Sequence, residues 1–141
     1  MLEVLGIVAA ALALAVVVVL LVGVVRVRRM RARHRTRLAT ISPTHSGPAA
    51  IFGLASDGKN QTRGIGTLAM SDTRLLFVQL VPDREIEVPR EDITSVQRSR
   101  QFMGSTATRD LIIVTWERQG MGDAAAFSAD DLEGWLSRLD Q

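Results

Sequence analysis

No short stretch of this chain gathers the side chains of a catalytic centre. The two histidines, His34 and His45, both precede the region in which a folded domain is expected, so a serine nucleophile inside that domain would lack an imidazole base. There is no cysteine and no tyrosine. That removes thiolate nucleophiles, disulfide scaffolds and cysteine-based zinc sites, and it is compatible with a reducing compartment. Asp130 and Asp131 are adjacent acids at an expected helix start, where carboxylates serve as caps. The Gly-Met-Gly-Asp run at 120–123 lacks the lysine and the strand–helix setting of a phosphate loop. No enzyme activity, cofactor or metal is therefore expected.

What remains is the chemistry of charge. Arg26, Arg28, Arg29, Arg31, Arg33, Arg35 and Arg37 form one dense tract, RVRRMRARHRTR. No Pro or Gly interrupts it, so it reads as helix with charge on every side and no face to bury. Attraction to anionic lipid follows, roughly 1 kcal/mol per basic residue near a membrane surface. The tract has no interleaved aromatics to stack bases, so no nucleic-acid partner is expected. His34 lies among these charges and is read as a surface residue. Lys59 and Arg63, offset by Asp57, are weaker candidates for an anion or lipid contact. Arg98 and Arg100 alternate onto one face of a polar strand and are the candidates for a protein-docking surface. Arg74, Arg90 and Arg109 are expected to cluster with Asp72, Glu91 and Asp110 as ordinary surface pairs.

The element that positions the tract is residues 4–25, VLGIVAAALALAVVVVLLVGVV, 22 consecutive residues without a polar side chain. At about 1.5 Å per residue this helix crosses the roughly 30 Å hydrocarbon core of a bilayer. A secretory leader would have a basic start and an apolar core of about 7–15 residues. Here the start is Met-Leu-Glu and the core is longer. Arginine on one flank only predicts a single span with the N-terminus outside and everything after Arg26 in the cytoplasm of a cell membrane, with no extracytoplasmic domain. Ala9, Ala10, Ala11, Ala13 and Ala15 offer a close helix contact, so a homo-oligomer is possible.

Residues 26–46 read as a basic juxtamembrane segment followed by a Pro- and Ser-containing linker, and 47–141 as one domain. Residues 38–141 hold ten Lys or Arg against fourteen Asp or Glu, a formal −4, so the basic pI comes from the tract and not from the domain. Strands are expected at 49–56, 66–71, 74–80, 84–89, 93–101, 111–117 and 124–129. REIEVP at 84–89 has the cleanest alternation, with Ile86 and Val88 inward. Arg90-Glu91-Asp92 reads as a helical turn, 103–110 as a loop and 119–123 as a hairpin loop. A C-terminal helix follows, capped by Ser128 with Asp131 as its capping-box partner, with Leu132, Trp135, Leu136 and Leu139 as its apolar stripe. Trp116, Trp135, Phe77 and Phe127 are expected in the core, and Gly134 is expected to allow a close approach to the sheet. The expected fold is thus a single transmembrane helix plus a small mainly-β domain, two curled antiparallel sheets of about seven strands closed by the C-terminal helix.

Three segments, GTLAMSDTRLLFV at 66–78, VPREDITSV at 88–96 and AAFSADDLEGWLSRL at 125–139, resemble the PH-like domains of bacterial membrane proteins, relatives of GRAM and pleckstrin-homology modules. Their second and third strands follow G-x-L-x-x-T-D-x-R-L-x-F. Gly66, Leu68, Asp72, Arg74, Leu75 and Phe77 match that pattern, and Ser71 stands where threonine is usual. The resemblance covers about 47–141. It implies the fold much more than an activity, and it implies that any headgroup contact would fall on Lys59 and Arg63 in the loop after the first strand. The expected function is a non-enzymatic, membrane-anchored cytoplasmic interaction module, contacting lipid through residues 4–37 and an unidentified membrane or cytoplasmic protein through its domain. A peripheral sensor of anionic lipid and an accessory subunit of a transporter or envelope complex are the alternatives.

Overall fold

The structure, a computed structural model, describes residues 1–141 as two compact units, Met1–Arg37 and Leu38–Gln141. The first is almost entirely helix. α1 runs from Leu2 to Ala39, 38 residues or about 57 Å. It is long and apolar enough to cross a membrane. Every Val, Leu and Ile from Val4 to Val25 stands 46–71% exposed, so this surface is not the core of a soluble fold. The arginine tract continues the helix without a break, as expected. His34 is the exception to the surface reading, being the one buried residue of α1.

The second unit carries seven strands and a closing helix. They are β1 (His45–Leu54), β2 (Gly64–Met70), β3 (Arg74–Gln79), β4 (Arg84–Pro89), β5 (Ile93–Phe102), β6 (Ser105–Arg118), β7 (Met121–Ala129) and α2 (Leu132–Leu139). All neighbours are antiparallel and hydrogen-bonded in the order β4-β3-β2-β1-β7-β6-β5. The curl is plain from one contact. Phe77 on β3 and Phe127 on β7 have ring centroids 5.2 Å apart, although β2 and β1 lie between their strands. In a flat sheet that separation would be about 14 Å. The sheet therefore folds over its own inner face, and its two arms meet through Leu68, Leu75, Phe77, Ile112, Val114 and Phe127.

α2 closes this core. Trp135 and Leu139 are buried, and Leu132 and Leu136 pack beside them, so the expected stripe is the one used. Trp116 is only partly buried but packs against the same cluster. On β4, Ile86 and Val88 are buried and Glu85 and Glu87 exposed, as the alternation requires. Arg90–Asp92 is a single 3-10 turn at the corner between β4 and β5. Residues of the 66–78 hairpin have physical tasks. A Cβ at Gly66 would collide with the β3 backbone at Val78 and Gln79. The Ser71 hydroxyl accepts from the amides of Thr73 (3.3 Å) and Arg74 (3.2 Å), holding the turn.

Several boundaries differ from the sequence reading. β1 begins at His45, inside the expected linker, because the Thr44 amide already bonds Met70 O at 2.8 Å and pairing starts at His45–Met70. His45 thus belongs to the domain, and its ring lies 4.5 Å from that of Trp135. The segment 103–110 is mostly strand. Only Met103 and Gly104 turn, both at positive φ, and Gln119 and Gly120 do the same before β7. Two successive positive φ values form the tight hairpin that suits the twist of antiparallel strands. Ser128 remains in β7, and Asp131 caps α2 instead, its Oδ1 accepting from Gly134 N at 3.2 Å. The lack of a side chain at Gly134 makes room for that carboxylate, not for the sheet.

Trp135→Ala should lower the midpoint of thermal unfolding sharply. Truncating a buried aromatic typically costs about 3–5 kcal/mol, worth about 12–30 °C in a domain of this size. Circular dichroism of the β signal would measure it, and an unchanged melting curve would mean that α2 is not part of the core.

Candidate functional site

The charged residues singled out in the sequence fall in three separate places. The first is the tract. Arg26, Arg28, Arg29, Arg31, Arg33 and Arg35 are exposed along α1, and Arg37 is half-buried. Steps of three and four residues place Arg26, Arg29, Arg33 and Arg37 on one side and Arg28, Arg31 and Arg35 on another.

The second is the loop after β1. Asp57 does not offset Lys59 and Arg63, because both its oxygens are held by Arg84, at 2.7 and 2.9 Å. Lys59 is exposed. The Arg63 guanidinium lies 4.1 Å above the ring of Phe52, a cation–π contact. The loop itself is pinned by Gln61, whose side chain accepts from Leu54 N at 2.7 Å and donates to Leu54 O at 2.9 Å. The two cations thus project from a braced loop, not a loose one.

The third is the outer surface of β5 and β6. Arg98 and Arg100 share a side, as expected, but they converge on one carboxylate. Arg98 Nε lies 2.6 Å from Asp110 Oδ2 and Arg100 Nε 2.9 Å from Asp110 Oδ1. Arg98 also pairs with Glu133 on α2. A β-bulge creates the cluster. Starting from the turn at Met103-Gly104, a regular hairpin would set Arg98 opposite Arg109, like charges face to face, which destabilises a sheet. The register shifts between Ser99 and Gln101, so that Arg98 faces Ile112 and Asp110 comes to lie between the two arginines. Arg109 is released to bond Ala129 O at 3.0 Å and Asp130 at 3.1 Å.

The expected cluster around Arg74, Arg90 and Arg109 is divided accordingly. Asp72, Arg74, Arg90 and Glu91 line one open cleft together with Arg118, while Arg109 and Asp110 lie elsewhere. Arg74 pairs with Glu87 across the β3–β4 ladder. Arg90 Nη2 donates to Arg138 O at 3.2 Å, placing a cation on the carbonyl end of α2. The docking surface expected at Arg98 and Arg100 is therefore internally compensated. The long-range pairs, Asp57 with Arg84 and Asp110 with Arg98 and Arg100, carry no local sequence signal.

No family model matches the chain, and no curated protein matches it.

Hydrogen bonds from Arg100 and then Arg98 hold the Asp110 carboxyl below its ordinary range, and the bond to Asp110 correspondingly raises Arg98. A depressed carboxyl stabilises the fold above its unfolded value, about 3.9, and loses that contribution as pH falls through the folded value. Arg98 and Arg100 are exposed and Asp110 is half-buried at the surface, so solvent screening keeps the effect on stability small. A carboxyl-carbon NMR titration should place the Asp110 midpoint below about 3.9, and Arg100→Ala should raise it. A midpoint that Arg100→Ala leaves in place would contradict the shared-carboxylate geometry.

Proposed function

We propose that the chain is a single-span protein of the cell membrane whose PH-like domain lies in the cytoplasm and works by binding a protein partner, without chemistry of its own. The observation that carries this reading is the division of the chain. A helix whose apolar side chains are all exposed leads without a break into seven arginines, and a separately packed β domain follows. Arginine on one flank only favours retention of that flank in the cytoplasm. The hairpin at 66–78 supports the PH-like reading: a side chain at Gly66 would strike β3, the Ser71 hydroxyl holds the turn, and Leu75 and Phe77 are buried. His45 is the one imidazole in the domain's sheet, and its ring is packed on Trp135. That placement favours a structural role over that of a general base.

Lipid attraction is assigned to the tract. The domain carries a formal −4, and screening at about 0.15 M salt limits tract charges to a range of about 8 Å. Residues 38–141 alone should bind anionic vesicles poorly at that salt, and residues 26–141 should bind in a salt-sensitive way with little preference among phosphoinositides. Vesicle sedimentation measures both. Tight, headgroup-selective binding by 38–141 that Lys59→Ala with Arg63→Ala abolishes would make lipid sensing the function instead. For topology, a protease confined to the outside of intact cells should spare residues 38–141, and the same protease should digest them in inverted vesicles. Digestion from outside would reverse the orientation.

A further inference from the structure

We propose that a second copy of this chain covers the outer face of β1, β2 and β7, forming a two-fold dimer centred on Ala50. The face is a shallow trough whose centre is a single cross-strand row, Ser128–Ala50–Ile65. Ala50 and Ser128 are small, and Gly64 beside them has no side chain, so nothing holds a second sheet beyond the usual packing distance of about 10 Å. Ile65, 66% exposed, and half-buried Phe52 supply apolar surface.

The charges at the margins say what fits there. Arg74, Arg84, Arg98, Arg100, Arg109, Arg118 and Arg138 each have a carboxylate within 4.0 Å. Arg63 is held over a ring instead and keeps its charge uncompensated. At the other end of the trough Asp130, with its side chain 87% exposed, meets Arg109 through Oδ1. Its second oxygen remains open to a further donor.

The register places these two charges symmetrically. Ile51 pairs with Gly64, so Arg63 falls opposite Phe52 on one flank of β1. Ala49 pairs with Ala129, so Asp130 falls opposite Pro48 on the other flank. Arg63 and Asp130 therefore lie diagonally across Ala50, each two residues along and one strand over. A two-fold axis lying in the interface through Ala50 exchanges the two positions. It sets Arg63 of each copy against Asp130 of the other, making two identical ion pairs around the small-residue row. Such self-complementarity is the mark of an isologous interface. The strands would cross steeply, as in orthogonal sheet packing. An anionic bilayer would match Arg63 but would be repelled by Asp130, so the pattern favours a second copy.

The chain has no cysteine, so one introduced thiol reports position unambiguously. Full-length Ala50→Cys, treated with a short bismaleimide in detergent micelles and in lipid vesicles, should give a cross-linked dimer in both. Ser137→Cys, exposed on α2, should give little. Within the Ala50→Cys background, Arg63→Glu or Asp130→Lys should each reduce the dimer about tenfold, and the two together should restore it. Restoration also excludes misfolding as the cause of either loss. Absence of the Ala50→Cys dimer, equal cross-linking at both thiols through pairing of α1 alone, or failure of the double exchange to restore would each overturn the proposal. Quenching of an Ile65→Trp variant by brominated lipid chains would do so too, by placing the bilayer on this face.

Discussion

The constraint on which the rest of this molecule depends is the desolvation of residues 4–25. Fifteen of those 22 side chains are Val, Leu or Ile, and no polar group interrupts them. On the scale measured for helix insertion, each contributes about −0.3 to −0.6 kcal/mol at the bilayer centre, or about −5 to −9 kcal/mol together. In water the same exposed surface would drive aggregation. β-branched valines in sequence are mediocre helix formers, but in hydrocarbon every amide must bond within its own segment, and helix is the only local solution. The arginines then cannot follow the span across, because a charge at the bilayer centre is costly. One uncharged run thus determines the helical span and the position of the basic tract that continues it.

The β domain answers a different constraint. About a hundred residues must enclose a core without disulfides, in a size range where the fraction of surface buried is modest. The sheet does this by curling until Phe77 meets Phe127, and α2 completes the core with Trp135 and Leu139. His45 on one side of Trp135 and the Asp131 cap fix the helix in place. The polar outer surface is largely settled by internal pairs, which leaves few uncompensated charges for recognition. Arg63 is one of them, and its position opposite Asp130 across Ala50 is what gives the outer face of β1 a direction.

Elements whose signal is local were legible in the sequence. The alternation of 84–89, the polar turn Arg90–Asp92, and the i, i+3, i+4, i+7 stripe of α2 all appear where they were expected. What escaped depends on partners distant in the chain. The start of β1 at His45 is set by pairing with Met70, 25 residues on. The compensation of Arg98 and Arg100 depends on a bulge that no composition reveals. Met103-Gly104 and Gln119-Gly120 did carry a signal, a glycine at the second position of a two-residue turn, and reading them as tight hairpins would have lengthened β6 and β7 correctly. Asp131 and Ser128 are both good caps by type. Only the extent of β7 decides between them.

Residence of the span in the membrane is the central requirement, and alkaline carbonate extraction tests it most directly. Full-length chain should stay in the membrane pellet at high pH, where peripheral electrostatic attachment through the arginines is lost. The same chain lacking residues 4–25 should move to the supernatant. Release of the full-length chain would contradict the account, since it would mean that the apolar helix is covered by protein rather than by lipid.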